Sequence, residues 1–132
     1  MKPEINRIDH LVLTVRNIEA TIGFYETALG MQGRPFVTAD GETRWSLSFG
    51  SQKINLHAAG AEFEPKAAKP APGTADLCFL SDTPLEDWLL HLEAQKIGLE
   101  EGPVRRTGAM GPLLSIYLRD PDGNLIEVSN AI

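Results

Sequence analysis

Asp9-His10-Leu11-Val12-Leu13-Thr14-Val15 and Ala75-Asp76-Leu77-Cys78-Phe79-Leu80 are the two stretches on which the fold turns. Each alternates as a half-buried strand does. In the first, His10, Val12 and Thr14 share a face with Ile8, while Leu11, Leu13 and Val15 share the other. Each run leads into an amphipathic stretch. After the first, Asn17 is placed to cap a helix in which Ile18, Ile22, Tyr25 and Leu29 recur at helical spacing, and Gly30 supplies the stop. After the second, Thr83-Pro84-Leu85-Glu86 offers a capping threonine, a proline in the first turn and a capping-box glutamate. Leu85, Trp88, Leu89 and Leu92 then form an apolar stripe that runs toward Lys96 and ends at Ile97-Gly98-Leu99.

Three more strands follow each helix. Met31 to Val37, Arg44 to Phe49 and Gln52 to His57 are separated by turn signals at Asp40-Gly41 and Gly50-Ser51. Leu99 to Val104, Leu113 to Arg119 and Leu125 to Ser129 repeat the order, with Asp120-Pro121-Asp122-Gly123 as a strong turn into the last. Strand, helix and three strands, given twice, predict an α+β fold of paired βαβββ modules forming a curved sheet around a central site. The chain of 132 residues is read as one domain, with modules at about 5–58 and 74–132. The connector between them is rich in proline and alanine, carrying Pro65, Pro70 and Pro72.

Composition narrows the functional classes. A net charge of -6 disfavours nonspecific binding to nucleic acid or an anionic membrane, because phosphate neutralisation needs a basic footprint. The single cysteine, Cys78, leaves no intrachain disulfide and suits a reducing compartment; it is read as a core residue. No stretch reaches the length of a membrane span, and Met1-Lys2-Pro3-Glu4 lacks the apolar run of a signal peptide. The expected location is the cytoplasm.

The residues of chemical interest are polar side chains inside otherwise apolar strands. His10, Asn55, His57, Asp76 and Glu127 all fall on strand faces that could line a cavity opposite the helices. Buried carboxylates are costly unless paired or metal-bound. Two histidines and two carboxylates would suit a divalent first-row metal, with positions left open for a substrate. Each residue also has a plainer role. His10 could be a hydrogen-bonded structural residue, Glu127 an exposed edge residue, His57 a solvated strand end and Asp76 a turn cap. The placement of His10, Asp76 and Glu127 at equivalent strand positions raises the metal reading above these. The Gly-rich stretch Glu101 to Pro112 is expected to be a flap that offers Arg105 and Arg106 to an anionic substrate group, or else a hairpin loop with solvated charges. Trp45 is a packing residue that could also wall the pocket. Tyr25 and Tyr117 are read as packing residues, and His91 as solvated.

With these positions laid out, the chain resembles the vicinal oxygen chelate superfamily, which includes glyoxalase I, extradiol dioxygenases, fosfomycin-modifying enzymes and bleomycin-binding proteins. Arg7 to Val15, Phe24-Tyr25-Glu26 before Leu29-Gly30-Met31, and Asp120-Pro121-Asp122-Gly123-Asn124-Leu125-Ile126-Glu127 carry the likeness. Lys53 to His57, Phe63 to Ala68 and Arg106 to Ala109 resemble more narrowly the group called glyoxalase domain-containing protein 5.

The resemblance implies a divalent metal (Ni, Zn, Mn or Fe) held in the curved sheet and chelated by vicinal oxygens of a small-molecule substrate. It places the first-strand ligand on His10 and the last on Glu127, with Asp76 or His57 completing the set. It also implies a homodimer in which modules pair across chains. Asn55 stands where glyoxalase I usually has a glutamate tied to proton transfer, and Asp76 where extradiol and fosfomycin enzymes usually have histidine. Asn55, Arg105, Arg106 and Trp45 are the expected substrate contacts. The expected function is that of a metal-dependent lyase, isomerase or dioxygenase. The rival is a metal-free binding protein of the bleomycin-resistance kind.

Overall fold

The computed structural model describes residues 1–132. Its elements run β1 (His10–Val15), α1 (Ile18–Leu29), β2 (Gln32–Val37), β3 (Thr43–Phe49), β4 (Gln52–Ala58), β5 (Asp76–Leu80), α2 (Leu85–Ala94), β6 (Glu101–Thr107), β7 (Pro112–Arg119) and β8 (Leu125–Ala131). Two four-stranded mixed sheets result, in the orders β1-β4-β3-β2 and β5-β8-β7-β6. The α+β duplication expected from the sequence is therefore present, and β1 and β5 occupy equivalent edges.

Local chemistry explains most element ends. The Asn17 side chain accepts from the Ala20 N–H at 2.9 Å, and Gly30 closes α1 in the left-handed region at φ 69°. The start of α2 departs from the sequence expectation. Pro84 takes the cap position without a side-chain bond, and Thr83 does not cap. Asn130, distant in sequence, does that work: its Oδ1 accepts from Leu85 N–H at 2.9 Å, and its Nδ2 donates to the Ser81 and Thr83 carbonyls. Strand β1 starts at His10 rather than Arg7, and residues 1–9 are exposed and outside regular structure.

The helix-facing sides of the sheets meet in one core. Leu13, Val15, Leu47, Ile54 and Leu56 of the first sheet join Ile116, Leu118, Ile126 and Val128 of the second, with Tyr25 and Ala28 of α1 and Leu85 and Leu92 of α2. Tyr25 is fully buried and its hydroxyl donates to Asp120 Oδ2 at 2.7 Å, in the β7–β8 turn. The same oxygen accepts from Asn124 Nδ2, while Asp120 Oδ1 accepts the N–H groups of Asp122 and Asn124. His91 is not merely solvated: its Nε2 lies 2.8 Å from the Thr27 carbonyl, linking α2 to the end of α1. These bonds lock the backs of the two sheets together and leave their opposite faces open.

Candidate functional site

Strand register decides what each open face carries. In the first sheet, Leu13 pairs with Leu56, and Trp45 also pairs with Leu56, so Trp45 lies on the helix side. The pairs His10–Lys53 and Val12–Asn55, with His57 beside Thr14, turn to the open face, joined by Ser46 opposite Asn55 and by Arg34 opposite Ser46. Arg44 falls on the same face by alternation. That face bears three strand cations, Arg34, Arg44 and Lys53, and no strand carboxylate.

The second open face is mixed in charge, with Asp76, Glu101 and Glu127 beside Arg106 and Arg119. Cys78 pairs with Glu127, and Glu127 pairs in turn with Tyr117. Asp76 lies two residues from Cys78 on the same face, opposite Leu125. Cys78 is thus exposed on this face rather than in the core, with Ser129 Oγ 3.4 Å from its Sγ. Burial, opposed by that hydroxyl, pushes the Cys78 thiol up, and the nearby Glu127 carboxylate adds to the rise.

Glu127 is held by its neighbours. Ser129 Oγ donates to its Oε2 at 3.3 Å. Tyr117 stands alongside, its hydroxyl accepting from Arg106 Nε at 2.9 Å, and Arg106 is paired to Glu101 at 3.2 Å. Burial raises the Tyr117 phenol and the Arg106 hydrogen bond opposes that rise, while the Glu127 charge adds to it; Tyr117 therefore stays protonated at neutral pH. Asp76 and Glu127 have no ion-pair partner. A cavity of about 440 Å³ opens over Glu127, with Cys78, Leu80, Met110, Leu113 and Ile132 among its walls.

His10 sits at the other sheet's rim. Its side chain is 42 % exposed and its Nδ1 lies 2.9 Å from Asp9 Oδ2. It shares a small cavity of about 210 Å³ with Cys78 at the seam between β1 and β5. His57 lies four positions farther along the face, about 13 Å at strand spacing. It stacks edge-on against Phe63 with ring centroids 5.3 Å apart. Burial, then the Arg44 charge, holds its imidazole below the usual histidine range, and Glu62 opposes this.

The expected residues thus fall into two groups rather than one. His10, Asn55 and His57 line the first open face; Asp76, Glu127 and Arg106 line the second. No three His, Cys, Asp or Glu side chains come together within one chain to hold a metal. The donor types still fit a divalent first-row ion, imidazole nitrogen with carboxylate oxygen. What one chain lacks is their convergence. His57 cannot join His10, because two parallel side chains that far apart cannot share an ion at 2.0–2.1 Å bond lengths.

Two substrate assignments also change. Glu101 to Thr107 is strand β6, and only residues 108–111 form the turn, so the arginines are not on a flap. Alternation splits them: Arg106 pairs with Leu113 on the open face, whereas Arg105 pairs with Leu114 on the other. Trp45, on the helix side, does not wall either open face. Sequence reading missed Tyr117 and Ser129 as supports of Glu127. The period-two run Leu113, Ser115, Tyr117 and the pair Glu127, Ser129 carried that signal.

Comparison with known proteins follows this geometry. The model of the Glyoxalase/Bleomycin resistance protein/Dioxygenase superfamily matches residues 7–128. The chain is 54% identical over 128 residues to "Virulence protein STM3117" of Salmonella typhimurium strain LT2, covering 97% of this chain and 86% of that one. It is 27% identical over 124 residues to "Metallothiol transferase FosB" of Staphylococcus epidermidis, covering 94% and 83%. A solved structure from the mobile metagenome of V. Pseudocholerae superposes with a TM-score of 0.93 at 52% identity, covering 98% of each chain. The narrower likeness to glyoxalase domain-containing protein 5 stays an expectation of the sequence alone.

Proposed function

This chain belongs to the Glyoxalase/Bleomycin resistance protein/Dioxygenase superfamily, and on that premise we propose that it is a divalent-metal-dependent enzyme acting on a small oxygen-rich molecule. His10 of one copy and Asp76 and Glu127 of a second copy hold the metal in this reading. The observation that carries it is Glu127: a carboxylate without an ion pair, oriented by Ser129, flanked by protonated Tyr117, and facing a cavity of about 440 Å³. Where a second copy covers that face, leaving such a group uncompensated would be unfavourable, and a metal ion would supply positive charge.

Pairing of two copies supports convergence of the donors. The accessible surface is 8681 Å². A compact monomer of 14.4 kDa exposes about 6,800 Å². The excess, roughly 1,900 Å² per chain or about 3,800 Å² over two copies, lies in the range that permanent homodimers bury, though the extended residues 1–9 account for part of it. Charge complements it, since Arg34, Arg44 and Lys53 on the first open face suit Asp76 and Glu127 on the second.

A metal held by His10, Asp76 and Glu127 would supply Lewis-acid chemistry toward vicinal oxygens of the substrate. The protein's own groups orient the site. Ser129 donates to Glu127 and Arg106 donates to the Tyr117 hydroxyl beside it, while Leu80, Met110 and Ile132 offer exposed apolar contacts at the cavity's rim. Asn55 cannot serve as a general base, having no titratable proton acceptor. The glutathione hemithioacetal of methylglyoxal is therefore not turned over; robust turnover would show that another base does that work.

Elemental analysis of protein purified without added metal tests the reading. Stoichiometric divalent metal in the wild type, lost in both His10→Ala and Glu127→Ala, is the expected result. A wild type that neither carries metal nor takes up Ni, Zn, Mn or Fe would sink it. That outcome favours the second reading, a metal-free small-molecule binding protein, which the mostly apolar walls of the cavity over Glu127 would also suit.

A further inference from the structure

The connector between β4 and β5 contains neither helix nor strand, yet it is anchored. Phe63 inserts between His57 and Arg44, with the Arg44 guanidinium carbon 3.0 Å from its ring centroid. Beyond this anchor the connector bridges the far end of the first open face and encloses a cavity of about 370 Å³. Thr14 and His57 form its floor; Lys66 and Lys69 stand in its roof. Lys66 is held by Glu62 at 3.7 Å and Glu64 at 3.6 Å, but Lys69 has no carboxylate within ion-pair distance. Behind His57 and outside the cavity's walls, Arg44 is paired to Glu42 at 3.5 Å and keeps a buried Nε with no acceptor. Nearby on the same face, the buried Asn55 Oδ1 has no donor.

Lys69 thus brings a cation without a carboxylate partner to this concave space, in a chain of net charge -6. A ligand oxyanion there would pair with Lys69 and accept from the Thr14 hydroxyl. We propose that the cavity under the connector, lined by Thr14, His57, Lys66 and Lys69, is a subsite for the oxyanion end of an elongated substrate. This deepens the metal reading, because the subsite belongs to the same open face as His10. Thr14 lies four strand positions from His10, so a ligand that engages both must span about 13 Å. A three-carbon acid cannot do that; a conjugate with a carboxylate or phosphate at one end can. Asn55, opposite Val12 midway along the span, would take a hydroxyl or amide donor from the middle of such a molecule.

The subsite can be tested without metal, so its failure is separate from failure of the metal reading. EDTA-treated protein is titrated with inorganic phosphate and, separately, with acetate, following backbone amide shifts by NMR. Saturable shifts at Thr14, His57, Lys66, Lys69 and Thr74, weakened at least ten-fold in a Lys66→Gln/Lys69→Gln variant with a native amide spectrum, are expected. Lys2→Gln, which removes an exposed charge elsewhere, should bind as the wild type does. The stronger of the two probes identifies the oxyanion as phosphate or carboxylate. Linear shifts with both probes, shifts spread over unrelated surface residues, or equal binding by the double variant would overturn the proposal.

Discussion

Tyr117 and His57 illustrate how single side chains tune this molecule. Tyr117→Phe removes the hydroxyl beside Glu127 and leaves Arg106 Nε without its acceptor. Loss of a partner that orients a metal ligand typically costs ten- to a hundred-fold in affinity. Chelator competition should show a drop in that range, with thermal stability little changed; unchanged metal affinity would detach Tyr117 from the site. For His57, the folded pKa lies below the unfolded one, so the unfolded chain binds the proton more readily. Its contribution is present above the ordinary histidine value and is lost as pH falls through that value toward the folded pKa. Urea midpoints should therefore decline between pH 7.5 and 5.5, and His57→Gln should flatten that decline. Neither effect could be read from the sequence. Alternation put His10, Asn55, Asp76 and Glu127 on strand faces correctly, but it could not say which side of β3 the helices would cover. Trp45 was misplaced for that reason. Cys78 was assigned to the core because its residue type is usually buried, whereas register turns it outward beside Glu127.

Elements are joined by a few polar clamps and one bulge. The Tyr25 hydroxyl ties α1 to the β7–β8 turn through Asp120, a buried bond to a charged acceptor. Tyr25→Phe should cost about 1–3 kcal/mol in chemical unfolding, and a neutral result would mean the turn is held by Asn124 alone. In β6, register shifts between Glu101 and Val104, and Gly102 occupies φ 114°. A Cβ there would approach the Ser115 carbonyl oxygen to 2.6 Å and the Ile116 Cα to 2.9 Å. Gly102→Ala should destabilise by about 2–3 kcal/mol and shift Arg106 relative to Tyr117. A variant as stable as the wild type would show that the bulge can close without harm. Both helices and most strands were legible from periodicity and from the Asn17, Gly30 and Asp120–Gly123 signals. The cap of α2 was not, because Asn130 reaches it from the far end of the chain. The strand read over Leu99 to Val104 runs on through Arg105 and Arg106 to Thr107, a stretch whose sequence suggests a flap or hairpin loop because its glycines and arginines hide the alternation that pairing with β7 imposes.

At the scale of the whole molecule, duplication gives two open faces, one whose strand charges are all cationic and one of mixed charge that holds the carboxylates. His10 lies on one, Asp76 and Glu127 on the other, and no three donors meet within a chain. The sequence marked these residues as polar positions on strand faces but not that one chain keeps them apart, since the relative placement of the modules depends on the shared core and the Tyr25 and His91 bonds. In our account two copies join the faces and complete two equivalent sites. A heterodimer of one His10→Ala chain and one Glu127→Ala chain, isolated through two different tags, tests this most directly. One of its two sites would then keep both ligands and the other would keep neither. The account predicts one divalent metal ion per heterodimer, against two in the wild-type dimer and none in either mutant homodimer. A heterodimer devoid of metal, beside a wild type that binds two, would place His10 and Glu127 in the same chain's site and contradict it.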